Sequence, residues 1–210
     1  MLKAAYIAIK ETDKNATVLG DSLAGADTFY LKALYDLAAK GLFDALAIHP
    51  YTAVTDTGSV DGPRDFTKPP WCFEQGINAI RRLMVDVYGD DKPVWVTEFG
   101  VSSFNGWGGI SEQQQALFLR EAFSILQQWK FVPVFIRFNL IDQDAQTTRD
   151  GGFGLYRSNF ILKPVGDEFR SLVAALEQQT DTEPVLVSPI GTHSGKSTVF
   201  LWRSLPGANR

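Results

Sequence analysis

One pattern constrains this chain more than any other. Four times, a short run of apolar and β-branched residues is followed by a loop and then by a segment with apolar residues at helical spacing. The runs are residues 16–20, 43–51, 93–100 and 132–141. An amphipathic segment over residues 1–11, with Leu2, Ala5, Tyr6 and Ile9 recurring at helical intervals, precedes the first run. After that run, Asp27 or Thr28 can cap a helix carrying Tyr30, Leu34, Leu37 and Ala38 that stops at Gly41. The second run leads through a polar loop to a helix with Ile77, Ile80, Met84 and Val87 on one face, closed by Gly89. The third leads to Ser111 and Gln114, a capping box for a helix bearing Leu119, Phe123, Leu126 and Trp129. The fourth leads to a helix from Pro164 through Phe169, Leu172, Val173 and Leu176. Strand and helix alternating in series predict an α/β fold, a parallel sheet with its helices outside.

Residues 1–177 hold this repeat and form one unit. From residue 178 the pattern breaks, and residues 183–189 and 197–202 read as two short strands without a third partner, so 178–210 is a tail or a truncated β module. The Gly-Thr-His-Ser-Gly-Lys-Ser of residues 191–197 has three residues between its glycines where a phosphate loop has four, and no strong helix follows it.

Composition narrows the class. The chain has 210 residues, 45% hydrophobic and 21% charged, enough apolar material for one sizeable core. The net charge is -4 with scattered basic residues, which argues against a nucleic-acid partner. One cysteine and two histidines leave no zinc-ligand spacing, so no metal is expected. No apolar run approaches the roughly 18 to 20 residues that span a bilayer, and residues 1–10 lack a small-residue cleavage site. The expectation is a chain with no membrane segment and no recognisable leader. Five tryptophans in a chain with 12% aromatic residues hint at sugar binding, where ring C–H faces stack on aromatic planes.

In a parallel sheet the carboxyl ends of the strands form the working face. Period-two alternation would set Val94, Val96 and Glu98 inward and turn Trp95 and Thr97 outward, with Trp95 against the covering helices. By the same count Ala45, Ala47, His49 and Tyr51 share a face on the second strand. A lone strand histidine is commonly a satisfied core residue, and a tyrosine hydroxyl often just meets a carbonyl. Three such groups ending two strands converge on one mouth. A carboxylate held by a tyrosine hydroxyl suits attack on an anomeric carbon, because the oxocarbenium-like transition state needs a negative charge on one face.

These residues carry a resemblance. Residues 44–51 (Asp-Ala-Leu-Ala-Ile-His-Pro-Tyr), 92–100 (Lys-Pro-Val-Trp-Val-Thr-Glu-Phe-Gly) and 151–156 (Gly-Gly-Phe-Gly-Leu-Tyr) with Lys163-Pro164 resemble glycoside hydrolase clan A, in the style of families 39 and 5. The resemblance implies a (β/α)8 barrel of TIM type, of which this chain carries about four units, the C-terminal half, over residues 1–177. It implies Glu98 as the nucleophile, with His49 and Tyr51 beside it. The clan's acid/base glutamate stands in an Asn-Glu pair ending the fourth barrel strand, and no Asn-Glu occurs here. The acid/base is therefore expected from a missing N-terminal half or a second copy. Where clan members place an inward tryptophan on the last strand, Arg137 and Asn139 are expected to face the sugar, Arg137 binding a charged or heavily hydroxylated one or else pairing with an inward carboxylate. Trp107 and Trp71, on loops after the third and second strands, are candidate stacking platforms, and Asp142, Asp144 and Asp150 could bond sugar hydroxyls.

The leading expectation is a retaining O-glycoside hydrolase acting on a β-linked glycoside or polysaccharide, with no cofactor. The alternative is a non-catalytic carbohydrate-binding or interaction module derived from a half-barrel. Clan members that act on polymers are often exported, which leaves the compartment open.

Overall fold

A computed structural model describes residues 1–66, 68–143, 148–179 and 199–202. Helix α1 (Leu2–Thr12) precedes strand β1 (Leu19–Ala24), helix α2 (Thr28–Asp36), strand β2 (Ala45–His49) and helix α3 (Glu74–Arg82). Strand β3 (Val94–Phe99), helix α4 (Glu112–Leu126), strand β4 (Val134–Arg137), helix α5 (Pro164–Gln179) and strand β5 (Val199–Trp202) follow. Strands β1 to β4 lie in chain order and pair in parallel, each joined to the next by a helical crossover. This is the parallel α/β sheet with outer helices that the alternation predicts, and it is consistent with the partial (β/α) barrel that the resemblance implies. Strand β5 departs from expectation: it is not unpartnered but runs antiparallel along β4, with Val134 opposite Trp202 and Arg137 opposite Val199. The other strand expected in the tail, residues 183–189, lies outside the described residues, as does the segment 191–197.

Local chemistry sets the element ends. Asp27 caps α2 by accepting from the Tyr30 N–H at 2.9 Å. Ser111 Oγ accepts from Gln114 N at 3.2 Å while Gln114 Oε1 accepts from Ser111 N at 3.0 Å, the reciprocal cap read from the sequence. Strand β1 begins later than residue 16 and runs on past Gly20, because a register shift between Leu19 and Ser22 carries the polar Asp21 and Ser22 through the sheet and returns Leu23 to the core. Helix α3 passes into a π-helical turn over Leu83–Val87. The wider turn rotates the last apolar position off the buried face, so Met84 is fully buried but Val87 is 64% exposed, not on the face of Ile77 and Ile80.

The main core lies between sheet and helices, where Leu23, Leu46, Ile48, Val94, Val96 and Phe135 meet Leu31, Ile77, Ile80, Met84, Leu119, Phe123, Val165 and Phe169. Burial of one such side chain contributes about 1.5–3 kcal/mol. Val94 and Val96 therefore face the helices, the reverse of the expected phase. Trp95, paired with Ala47 and Val134, lies on the opposite face. That face, the interior side of a barrel, carries the small residues Ala45 and Ala47 with His49 at its upper end.

Helix α1 has no fully buried residue and is tied down mainly by polar contacts. Asp44, just before β2, accepts from Tyr6 Oη at 3.1 Å and from Val18 N at 2.7 Å, and pairs with Lys10 Nζ at 2.8 Å.

Candidate active site

Glu98 reaches the interior face through an irregularity. Strict alternation from Val94 and Val96 would bury its carboxylate under the helices. Instead the β3/β4 register shifts between Val96 and Phe99. Phe99 takes the next helix-side position, 4.6 Å from the Phe73 ring centre and 6.0 Å from that of Phe135. The shift leaves Glu98 on the side of His49, where its side chain is 36% exposed.

There the three residues singled out at the strand mouths come together. Tyr51 Oη donates to Glu98 Oε2 at 2.9 Å. His49 Nδ1 lies 3.6 Å from the same oxygen, beyond hydrogen-bond distance but close enough for attraction when the ring is protonated. Burial first, and then the negative charge of Glu98, push the Tyr51 phenol above its ordinary range, so it stays protonated and available as a donor. Its ring sits edge-on to Phe153, centres 6.0 Å apart.

Tyr51 also belongs to the wall of a cavity of about 530 Å3. Trp71, Trp107, Phe138 and Phe153 give it aromatic surface, and Lys68, Gln143, Arg149 and Asp150 give it polar groups. Trp71 and Trp107, expected as platforms, are thus both on this wall, 39% and 63% exposed. Asp150 is there too. Asp144 lies outside the described residues.

Three residues expected to meet a sugar are buried and do not line the cavity. Arg137 shares the face of Phe135, is 1% exposed, and donates to Phe99 O at 3.5 Å. Burial draws its guanidinium down to about 10, against the opposing pull of the nearby Tyr51 phenol and Asp142 carboxylate, so Arg137 stands behind the site rather than on the cavity wall. Asn139 is 3% exposed and does not line the cavity, because β4 ends at Arg137 and alternation does not continue to it. Phe138, between them, holds the place expected of Arg137. Gly100 leaves room for that turn: a Cβ there would lie 2.3 Å from Phe138 O. Asp142 is 5% exposed and takes both carboxylate oxygens to Lys163 Nζ at 3.0 Å, with a further bond from Gly154 N at 2.6 Å. Burial pushes the Asp142 carboxyl up and the Lys163 amine down. Lys163 also donates to Gly152 O, which receives Ser103 N and Gln115 Nε2 as well, so this pair braces the segment carrying Phe153.

The sequence reading missed Phe138, Phe153, Lys68 and Arg149. Phe138 was legible, since counting outward from the bulky helix-side Phe135 puts the residue after Arg137 on the interior face. Lys68 and Phe153 sit on loops and Arg149 opens a three-residue 3-10 turn, where no period marks direction. Among the described residues no group of three or more His, Cys, Asp or Glu is placed to hold a metal ion.

The fold and this site define a class: a part of a parallel (β/α) barrel with a tyrosine-held carboxylate at its strand mouths beside an aromatic cavity. The profile of the glycosyl hydrolase catalytic core matches residues 6–169, and the chain belongs to that family. Solved structures similar in fold include a family 39 glycoside hydrolase from the gut symbiont Bacteroides cellulosilyticus WH2, with 21% identity and a TM-score of 0.60, covering 78% of this chain and 34% of that one. A family 39 enzyme from Xanthomonas axonopodis pv. citri has 19% identity and a TM-score of 0.58, covering 82% and 35%. A family 39 β-xylosidase from Caulobacter crescentus has 17% identity and a TM-score of 0.55, again covering 82% and 35%. The chain thus spans about a third of the length of these structures. No curated protein matches it.

Proposed function

We propose that this chain carries the nucleophile half of a retaining β-glycosidase, with Glu98 as the nucleophile. The observation that carries this reading is the Glu98 carboxylate held at 2.9 Å by a Tyr51 hydroxyl that also walls the aromatic cavity. Glu98 Oε attacks the anomeric carbon, the bond from that carbon to the leaving oxygen breaks, and a glycosyl ester forms that water then hydrolyses. Tyr51 keeps the carboxylate aimed, and His49 adds positive charge beside it when protonated. The acid/base comes from outside these 210 residues, on a missing N-terminal half of the barrel or on a second copy. Its carboxyl would stand about 5–5.5 Å from that of Glu98 in a retaining enzyme. The substrate is a β-linked glycoside or polysaccharide, and no cofactor takes part.

An activated 2-deoxy-2-fluoro glycoside tests this without the acid/base, because 2,4-dinitrophenolate leaves unaided. Incubated with the 2,4-dinitrophenyl 2-deoxy-2-fluoro-β-D-xyloside, glucoside and galactoside, the protein gains one glycosyl mass on the peptide containing Glu98 with at least one of them. Glu98→Gln gains none. Labelling that persists in Glu98→Gln, or no labelling by any of the three, overturns the assignment.

A further inference from the structure

Both tryptophans of the cavity rest against glycines with positive φ, and the arrangement around Trp107 is the tighter. After β2 the chain folds back on itself through an antiparallel bridge between Val54 and Val60. The turn inside it is closed by Gly58 N donating to Thr55 O at 3.0 Å and by Thr55 N donating to Ser59 O at 2.8 Å. Gly58 ends that turn at φ +86. Its bare Cα is the seat of the Trp107 indole: a Cβ there would stand 2.7 Å from Trp107 Cδ1 and 3.1 Å from Nε1. The loop after β3 is fastened to the same point, since Gly108 N donates to Gly58 O at 3.2 Å. Gly108 has φ +80 and packs under Val54, with no room to spare for a side chain. Trp107 is therefore pinned between neighbours in sequence and in space, yet 63% exposed and part of the cavity wall. Trp71 repeats the theme more loosely, its Cε3 lying 3.3 Å from where a Cβ on Gly25 would be, at φ +71.

An aromatic plane binds a pyranose face well only if it is already in place, because each rotatable ring that must be immobilised costs affinity. From this geometry we infer that Gly58 is a positioning residue of the sugar site. It acts through Trp107, fixing the indole as one wall against which the apolar C–H face of a pyranose ring stacks. The inference rests on the glycosidase reading for its ligand but not for its mechanics.

The test uses the protein labelled with 5-fluorotryptophan, with the Trp107 resonance assigned through Trp107→Phe. Gly58→Asn is the informative variant, because asparagine tolerates positive φ while still carrying a Cβ. In Gly58→Asn the Trp107 fluorine resonance shifts or broadens and that of Trp129 stays where it was. Xylobiose, cellobiose and β-1,4-galactobiose then serve as probes. For whichever binds, Gly58→Asn weakens affinity roughly 2- to 12-fold, the scale of one aromatic contact. On a Trp107→Ala background the same substitution changes affinity no further. An unmoved Trp107 resonance, or an equal loss of affinity in both backgrounds, overturns the inference. If the resonance moves but none of the three disaccharides binds the unsubstituted protein, the ligand assignment fails and the sugar-site role of Gly58 with it, whereas absent fluoro-sugar labelling alone would count only against Glu98 chemistry.

Discussion

The Tyr51 hydroxyl donates to Glu98 Oε2 at 2.9 Å across two neighbouring strand ends. The phenol comes from two residues beyond β2 and the carboxylate from the irregular end of β3. Tyr51→Phe removes that donor and leaves the ring packed on Phe153. The rate of labelling by the dinitrophenyl fluoro-glycoside is expected to fall roughly 10- to 100-fold, the scale of one hydrogen bond to a charged group. The melting temperature should hardly move. Stopped-time mass spectrometry gives the rate, and an unchanged rate would show that the hydroxyl does not act on the nucleophile.

Phe99 anchors the register shift that frees Glu98. It is 1% exposed between Phe73 and Phe135. Phe99→Ala should lower unfolding free energy by about 3–5 kcal/mol, read from urea titration. Phe99→Leu should lose less and keep more of the Glu98 labelling, since a bulky apolar side chain still holds the turn of the strand.

The Asp142–Lys163 pair is buried on both sides, at 3% and 0% side-chain exposure. Lys163→Met leaves a buried carboxylate without its cation and should cost about 3–5 kcal/mol. The double variant Lys163→Met with Asp142→Asn should recover a large part of that loss, because no uncompensated charge remains. Equal urea midpoints for the single and double variants would contradict this.

Asp44 predicts a pH dependence. Burial raises its carboxyl, but bonds from Lys10, the Val18 N–H and Tyr6 outweigh this and hold it below the ordinary 3.8. A carboxyl lowered in the folded state binds fewer protons there than in the unfolded chain. Its stabilisation is thus complete above about pH 4 and lost as pH falls below that. Asp44→Asn should lower the melting temperature at pH 7 and flatten its decline as pH falls below about 4. Protease cutting between α1 and β1 should rise in the same variant.

The order of elements was legible because apolar period and punctuation agree: the Ser111–Gln114 cap, the Gly89 stop and the strand–helix alternation all leave marks in composition. The meeting of His49 and Tyr51 with Glu98 was legible as well, though by a partly mistaken route. Alternation put Val94 and Val96 inward and carried Glu98 with them. In the fold the valines face the helices, and Glu98 points inward because the strand breaks step before Phe99. A register irregularity has no signature in residue type, so two errors of phase cancelled on β3. On β4 nothing cancelled: the resemblance put Arg137 at the sugar and alternation put Asn139 with it, whereas both are buried and Phe138 lines the cavity. The π-helical turn that exposes Val87 is likewise a change of period within an otherwise ordinary helical sequence. What a loop or turn side chain touches, as Lys68, Arg149 and Phe153 do, depends on contacts distant in sequence.

Strand β5, lying antiparallel on β4, alters what the sheet can join. Among the described residues the sheet ends on β1 at one side and on β5 at the other, so β5 covers the outer row of β4 but presents a four-residue row of its own. The two margins are unlike in length and in direction, since β5 runs against the other four strands. The parallel ladder of β1 to β4 can therefore be carried further only beside β1, and the reversed strand gives the sheet a polarity from one side to the other.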